Sequence, residues 1–159
     1  IIKSGEDPKF IARRIIICAS EDIGNADPRA LQVAINAFKA VEIIGMPEGR
    51  IPLAQATIYL ACAPKSNASY VAIKKALADI EKSGMNVPDH LRDSSYKGAK
   101  NLNRGKGYKY PHDYNKNYVS QQYLPDDLIG TQYYNPKESG YEAKIKRFLS
   151  YLRSWKQEG

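Results

Sequence analysis

Residues 4–28 read SGEDPKFIARRIIICASEDIGNADP, and they contain the start and end signals of one helix and the start signal of the next. Asp7 is of a residue type that accepts hydrogen bonds from the free N–H groups of a first helical turn, and Pro8 has its torsion pre-set for that turn. Gly24 is typical of a helix end, and Asp27-Pro28 repeats the start signal. This stretch therefore predicts a helix between Asp7 and Gly24, followed at once by a second helix.

The first helix carries apolar residues on most of its sides. They recur at helical spacing and widen into a run of three isoleucines, at Phe10, Ile11, Ile15, Ile16, Ile17 and Cys18. A helix that is apolar nearly all round is typical of a buried position. We therefore expect this helix to lie deep in a core.

Three more helices are predicted before residue 87, because apolar residues again recur at steps of three and four. The second runs from about Pro28 to Ile44 with Gly45 as its stop, the third from near Pro52 to Pro64, and the fourth from a cap at Ser66 or Asn67 to Gly84. The fourth has an apolar stripe of Tyr70, Ile73, Leu77 and Ile80. Since the connections are short, we expect a four-helix core over residues 7–87, built as a compact bundle of antiparallel neighbours.

The composition changes at Val87-Pro88. A short helix is predicted over Pro88–Arg92, and no long periodic segment follows between residues 94 and 134. Instead, eight tyrosines are spread there among Gly, Asn, Pro and Lys. A disordered linker is normally poor in aromatic residues. Residues 88–138 are therefore predicted to form an ordered Tyr- and Lys-rich loop region with short helical or strand pieces, pinned to the bundle by tyrosine rings.

The end of the chain, residues 139–159, is predicted to be helical again. After Gly140, large apolar residues follow at steps of four, three, four and three, which makes a heptad-like seam of Tyr141, Ile145, Phe148, Leu152 and Trp155. The short length favours docking of this seam on the chain's own bundle. The alternative is a contact between subunits, for which the large aromatic residues are suitable anchors.

Together, these elements predict a single all-α domain over residues 7–159: a compact helical bundle with a long Tyr-rich irregular segment and a C-terminal helix. The 159 residues suffice for one buried core, and the 43% of apolar residues include no run near the ~20 needed to cross a membrane. Cys18 and Cys62 are expected to be buried, reduced thiols on helices. The chain begins with Ile-Ile-Lys and has no initiator Met, which suggests a fragment of a longer protein.

The sequence carries no motif of a catalytic or metal site. It has no Gly-rich phosphate loop with Lys-Ser/Thr, no Gly-x-Ser-x-Gly turn and no His-Glu-x-x-His pair. Two Cys and two His are too few for a closely spaced zinc site. We therefore predict neither catalytic nor metal-binding residues in this chain.

A basic surplus lies in the second half, where residues 88–159 carry 13 Lys and Arg against 8 Asp and Glu. Within residues 94–118, cations and tyrosines are interleaved, and this mixture can neutralise phosphates and stack on exposed bases of single-stranded nucleic acid. The alternative is that the rings face inward and the lysines form a solvated face. The candidate nucleic-acid residues are Lys97, Lys100, Arg104, Lys106, Lys109, Lys116, Tyr108 and Tyr110.

His112 and Asp113 stand side by side in the run from Gly107 to Tyr114. Sequence neighbours in a turn rarely point at each other, and no nucleophile accompanies them by pattern. A structural turn is therefore favoured over an acid–base pair. The same interpretation applies to His90.

Ten strings spread over nearly the whole chain carry a family resemblance. They are SGEDP from Ser4, IARR from Ile11, ASEDIG from Ala19, Ala26-Asp-Pro, GMPEGRIPLAQATIYLA over residues 45–61, APKSN from Ala63, HLR from His90, GYKYPHDY from Gly107, QQYLPD from Gln121 and YYxP from Tyr133. In these strings the chain resembles the C-terminal region of the replication-associated recombination protein A family, also called RarA or MgsA. Its members are AAA+ ATPases related to clamp loaders and to the eukaryotic Werner-helicase-interacting ATPase. One departure is Asn115, where the family often has Pro.

The resemblance implies a collar-like, all-helical part that assembles subunits, as a homotetramer in the full-length relatives. Residues 1–6 would be the end of a linker from an AAA+ ATPase and lid module, and that module would hold ATP and Mg²⁺. No catalytic residue or cofactor is therefore implied within this chain. The implied setting is the bacterial cytoplasm and nucleoid. The implied partners are single-stranded or forked DNA and single-strand-binding protein, with no membrane.

The leading hypothesis is a non-catalytic oligomerisation domain of a DNA-dependent AAA+ ATPase involved in replication-fork maintenance and recombination. The alternative, from another class, is a stand-alone nucleic-acid-binding module that acts through residues 94–118.

Overall fold

The protein consists of α-helices joined by turns. The computed structural model describes residues 5–83, 86–92 and 105–154. Its α-helices are α1 (Pro8–Cys18), α2 (Arg29–Ile44), α3 (Arg50–Cys62), α4 (Ala68–Ser83) and α5 (Glu142–Ser154). These described ranges contain no β-strand, and the expected all-α class is confirmed. In the same ranges, no helix combines the length and the apolar character that a bilayer span requires.

Helix α1 starts where the capping signal predicts. Oδ1 of Asp7 accepts a hydrogen bond of 2.9 Å from the backbone N–H of Lys9, which satisfies one free donor of the first turn. Beyond Cys18 the helical path continues as a π-helical turn over Ala19–Ile23. It ends at Gly24, whose φ of +50° lies in the left-handed region that favours glycine. Both ends of the first predicted helix therefore follow from local sequence.

The core under α1, α2 and α3 is built largely from alanine. Its buried residues are Ala12, Ile15, Ala19, Ile23, Ala30, Ala34, Ala37, Val41, Leu53, Ala56 and Leu60. Small side chains let the three helices approach closely. The expectation that the whole isoleucine run of α1 lies deep is wrong in part. Ile15 is buried and Ile16 half-buried, but Ile17 is 41% exposed, because α2 and α3 cover one side of α1.

Asp27 joins the start of α2 to α3. Its buried carboxylate accepts hydrogen bonds from the backbone N–H of Arg29 at 3.2 Å and from the Arg29 guanidinium at 3.0 Å. It also accepts a hydrogen bond of 2.6 Å from the hydroxyl of Tyr59 on α3. The hydrogen bonds from the Arg29 guanidinium, aided by Tyr59, hold the pKa of Asp27 below its usual value. Asp27, which the sequence analysis identified as the start signal of the second helix, thus also links α2 to α3.

The prediction of two buried thiols is wrong. Cys62 is exposed and Cys18 is half-buried. Residue 62 lies about 200° around the helix from the buried Leu60, so the side of α3 that carries Cys62 faces away from the core.

The apolar stripe of α4 is also exposed, contrary to its expected core position. Ile73 is 56% exposed and Leu77 is 53% exposed. The better-covered residues of this helix are small, with Ala68 buried and Ala72 and Ala76 half-buried. The large residues at steps of three and four therefore mark the outer side of α4.

The chain divides into two compact units. The first contains residues 1–75 and 133–149, and the second contains residues 76–132 and 150–159. In the described part of the second unit, the backbone forms short 3-10 turns at Asp89–Leu91, Pro111–Asp113, Asn115–Asn117 and Asp126–Leu128. The short helix predicted over Pro88–Arg92 is the first of these turns. The division into a core, a loop region and a C-terminal helix stays a prediction.

Candidate functional site

Helix α5, which carries the heptad-like seam, is fixed at its start by a buried carboxylate. Glu142 has no exposed surface. Its Oε1 accepts a hydrogen bond of 2.7 Å from the hydroxyl of Tyr134, and its Oε2 accepts one of 3.1 Å from the backbone N–H of Lys137. Burial, together with the hydrogen bond to the Glu142 carboxylate, raises the pKa of Tyr134 to about 12. The first turn of α5 therefore has a defined position in the first unit.

Gly140 and Tyr141 complete this attachment. The backbone N–H of Tyr141 donates a hydrogen bond of 2.7 Å to the carbonyl oxygen of Ala26. Gly140 has a φ of +51°, and a Cβ added to it would overlap the same carbonyl oxygen. Because the two backbones approach so closely, this position requires glycine.

The residues of the predicted seam differ in exposure. Phe148 is 59% exposed and Tyr141 is 49% exposed, whereas Ile145 and Leu152 are half-buried. Trp155 lies outside the described residues. Large aromatic side chains that extend from a fixed helix can anchor a partner surface. The geometry is thus compatible with both hypotheses for the seam, since part of it packs within the chain and part is available to a partner.

The described part of the Tyr- and Lys-rich stretch presents both rings and cations. Tyr108 is 47% exposed and Tyr110 is 52% exposed, and Lys106, Lys109 and Lys116 are all exposed. Lys97, Lys100 and Arg104 lie outside the described residues. Exposed rings can stack on bases, and nearby ammonium groups can neutralise phosphates. The described part of the stretch therefore exposes to solvent the two kinds of side chain, rings and cations, on which the nucleic-acid hypothesis depends.

The amide of Gln121 holds this segment in place. Its Nε2 donates a hydrogen bond of 2.9 Å to the carbonyl oxygen of Lys109, and its Oε1 accepts one of 3.2 Å from the backbone N–H of the same residue. The ring centroids of Tyr110 and His112 lie 5.1 Å apart with a tilt of 47°. The rings of Tyr110 and His112 are thus close together, next to Lys109, whose backbone is held by Gln121.

Lys116 makes a contact within the chain. Its Nζ lies 4.5 Å from the centroid of the Tyr151 ring, a cation–π geometry. Its φ of +58° and that of Asn117, +53°, place both residues in the left-handed region. Lys116 is therefore more constrained than the other two described lysines of the candidate set.

His112 and Asp113 lie in the 3-10 turn Pro111–Asp113, and both are exposed. The backbone N–H of Asp113 donates to the carbonyl oxygen of Tyr110 at 3.0 Å. Nε2 of His90 donates a hydrogen bond of 2.7 Å to the carbonyl oxygen of Gln122. Among the described residues, no group of three His, Cys, Asp or Glu side chains is placed to hold a metal ion.

The outer side of α3 is a surface that the sequence interpretation missed. Ile51 and Ile58 are each 64% exposed, on the side opposite the buried Leu53 and Leu60. The exposed residues of this side, here called the neutral face, are Ile51, Ala54, Gln55, Ile58, Ala61 and Cys62. The signal was present in the sequence, because no residue between Arg50 and Lys65 is charged. A helix without a charged side is typical of burial on all sides.

Residues 1–153 match the family model described as MgsA AAA+ ATPase C terminal. The chain is 52% identical over 156 residues to an uncharacterised AAA domain-containing protein of Mycobacterium tuberculosis, with 97% of this chain and 34% of that protein covered. It is 49% identical over 154 residues to the replication-associated recombination protein A of Bacillus subtilis, covering 96% of this chain and 36% of that protein. The chain is 47% identical over 154 residues to the Escherichia coli protein of the same name, and the match covers 96% of this chain and 34% of that protein. The chain spans about a third of the length of these relatives.

Proposed function

The chain belongs to the family of MgsA AAA+ ATPase C-terminal domains, and from this premise we propose that it assembles the subunits of a larger, DNA-dependent AAA+ ATPase. Similarity to relatives named replication-associated recombination protein A supports a role in replication-fork maintenance and recombination. We propose a homotetramer as the assembled state. Since the chain spans about a third of those relatives, we assign the chemistry of ATP and Mg²⁺ to the rest of the parent protein.

The observation that carries the proposal is the exposed aromatic surface of α5. Phe148 and Tyr141 leave about half or more of their surface in water. Burying such rings in a partner yields more free energy than burying smaller side chains does. Because Glu142 and Gly140 fix the start of the helix, the rings are held in position before a partner binds, and less conformational entropy is lost on association.

Sedimentation velocity of this chain over a series of concentrations tests the proposal. We expect a tetramer that dissociates on dilution, and we expect Phe148→Ser to shift the distribution toward smaller species. Phe10→Ser is a matched control, because Phe10 on α1 is 47% exposed and is not part of the seam. A chain that sediments as a monomer at every concentration would rule the proposal out.

A second function, nucleic-acid binding, is favoured by the exposed rings and cations of residues 105–118. We propose that Tyr108, Tyr110, Lys106 and Lys109 contact single-stranded or forked DNA, with Lys116 as a further cation. The brace from Gln121 supports this proposal, since it holds the backbone between the two tyrosines. The two functions are compatible, because a tetramer multiplies weak contacts by avidity.

We further propose single-strand-binding protein as a partner of the parent protein, and the cytoplasm and nucleoid of bacteria as its location. The family resemblance supports the first of these proposals, and the bacterial relatives support the second. Co-purification of single-strand-binding protein with the full-length parent, compared with this chain alone, tests the first of them.

A further inference from the structure

The turn between α2 and α3 exposes a cluster of large apolar side chains. Ile43 is 84% exposed, more than any other large apolar residue that the structure describes, and Ile51 at the start of α3 is 64% exposed. We call this cluster the α2–α3 corner, and its residues are Ile43, Ile44, Met46 and Ile51. Exposed charged side chains lie beside it, at Glu48 and Arg50. An apolar patch with a polar rim marks an interaction surface.

Backbone hydrogen bonds hold the α2–α3 corner in one shape. The N–H of Gly45 donates to the carbonyl oxygen of Val41 at 2.9 Å, and the N–H of Gly49 donates to the carbonyl oxygen of Gly45 at 2.7 Å. A Cβ added to Gly49 would overlap the same oxygen of Gly45, so this close approach requires glycine. Because the turn is already formed, a partner that binds here orders little backbone, and less conformational entropy is lost on binding.

The α2–α3 corner lies beside the first turn of α1. Nζ of Lys9 is 3.4 Å from Oε1 of Glu42, the residue next to Ile43. The path of the chain into α1 is fixed, because the side chain of Asp7 accepts a hydrogen bond from the N–H of Lys9 and its carbonyl oxygen accepts one from the N–H of Ile11. A polypeptide that leads into Asp7 therefore comes close to the corner.

The comparisons indicate what that polypeptide carries. The matched family model describes the C-terminal part of an AAA+ ATPase, and the chain spans about a third of its relatives. Four apolar side chains are too few to hold two free molecules together, since a standard interface takes roughly 20–30 residues from each partner. A module of the same polypeptide needs a smaller contact, because a short flexible connection supplies an effective concentration on the order of 1 mM.

We propose that the α2–α3 corner is the docking surface for the AAA+ module of the same polypeptide, which meets it with an apolar patch of its own. This inference rests on the assignment, under the proposed function, of an AAA+ module to the rest of the parent protein, and it does not depend on assembly through α5. Domains joined only by a linker move relative to each other. A contact at the corner restricts that movement and orients the module on the first unit.

Oxidation of Met46 by hydrogen peroxide tests the docking in the native sequence. Its thioether lies in the corner, the residue is 42% exposed, and oxidation to the sulfoxide requires access. Peptide mass spectrometry gives the rate at Met46 in this chain and in the full-length parent. We expect a rate about tenfold lower in the parent, because an effective concentration on the order of 1 mM keeps a contact with a dissociation constant of about 0.1 mM closed most of the time.

The dependence on concentration identifies the occupant. A module of the same polypeptide keeps the rate at Met46 low in the parent even when the parent is diluted to monomers. Equal rates in the parent and in this chain overturn the docking. A second copy as occupant instead makes the rate in this chain fall as its concentration rises, and that result also overturns the docking.

The Ile43→Asp variant of the parent adds a second test, with Ile129→Asp as a matched control. Ile43 is so exposed that the fold does not depend on it, and circular dichroism verifies this for the variant. We expect Ile43→Asp to raise the oxidation rate of Met46 in the parent at least about fivefold, since a carboxylate in a closed apolar contact loses its hydration. Ile129 is 63% exposed and lies in the second unit, so its variant keeps the low rate. A low rate in both variants contradicts the docking.

Sedimentation velocity of the same samples separates this inference from the proposed function. If the chain assembles and Met46 is oxidised equally fast in this chain and in the parent, the docking is wrong and the proposed assembly stands. If Met46 is protected in a parent that remains monomeric at every concentration, the docking stands and the proposed assembly fails.

Discussion

The hydroxyl of Tyr134 donates a hydrogen bond of 2.7 Å to Oε1 of Glu142, a carboxylate that has no exposed surface. The same hydroxyl accepts a hydrogen bond of 3.2 Å from Nδ2 of Asn25. Asn25 lies in the turn between α1 and α2, so a chain of polar groups connects that turn with the first residue of α5. The position of the proposed subunit seam therefore depends on polar groups inside the first unit.

Tyr134→Phe is expected to lower the free energy of unfolding by about 1–3 kcal/mol. The substitution removes a hydrogen-bond donor from the buried carboxylate of Glu142. When a buried charged acceptor loses a hydrogen bond, most of the free energy that it lost on leaving water is no longer compensated. Urea unfolding followed by circular dichroism measures the difference. Tyr108→Phe is the control, because Tyr108 is 47% exposed, and we expect a change within about 0.5 kcal/mol there. Equal stability of the two variants would contradict the role of Tyr134.

The raised pKa of Tyr134 predicts a loss of stability in alkali. An unfolded tyrosine loses its proton near pH 10, whereas the folded Tyr134 retains it up to about 12. Between these values the unfolded state binds fewer protons than the folded state, so the free energy of unfolding falls as pH rises. We expect the urea midpoint of wild type to decrease more steeply across this range than that of Tyr134→Phe. Parallel curves for the two proteins would show that Tyr134 titrates as an ordinary tyrosine.

Gly140→Ala is expected to destabilise the protein by more than about 2 kcal/mol, because the new Cβ overlaps the carbonyl oxygen of Ala26. Part of that loss comes from the left-handed backbone alone, at a cost of roughly 1–2 kcal/mol for a residue with a Cβ. Gly130→Ala isolates this part, since Gly130 also has a positive φ, +80°, and nothing within 4 Å of an added Cβ. Thermal unfolding of both variants gives the difference. If Gly130→Ala costs as much as Gly140→Ala, the close approach to Ala26 contributes nothing.

The helix ends were predictable because their causes are local. Asp7 accepts from a donor two residues away, and Gly24 ends the helical path through its own backbone torsion. The all-α class follows in the same way, from caps, stops and helical spacing within short windows. Such signals can be interpreted without knowing which distant segments of the chain come into contact.

The covered sides of the helices were not predictable from the same patterns. Periodicity identifies an apolar side, but it does not say whether this chain or another molecule covers it. On α4 the large residues lie outside, and on α3 both sides are apolar. The buried core is rich in alanine, which contributes little to a count of large apolar residues. The bond between Tyr134 and Glu142 was hidden for another reason, since both are polar residues of ordinary types and only the fold brings them into a buried site.

For the proposed nucleic-acid contact, separate variants distinguish charge from stacking. In Lys106→Ala and Lys109→Ala we expect the logarithmic salt dependence of single-stranded DNA binding to weaken by about 0.7 for each lysine that contacts a phosphate. In Tyr110→Ala we expect a loss of about 1–3 kcal/mol in binding free energy with the salt dependence unchanged, because stacking involves no ion release.

Fluorescence anisotropy of a labelled single-stranded oligonucleotide, titrated at several salt concentrations, measures both effects. Lys39→Ala is the control for charge, since Lys39 is an exposed lysine on α2 and belongs to the first unit. The combination of results separates the two hypotheses for this segment. If the lysines of residues 105–118 form a solvated face, Lys109→Ala and Lys39→Ala weaken binding equally and only through net charge. If they contact phosphates, Lys109→Ala alone reduces the salt dependence.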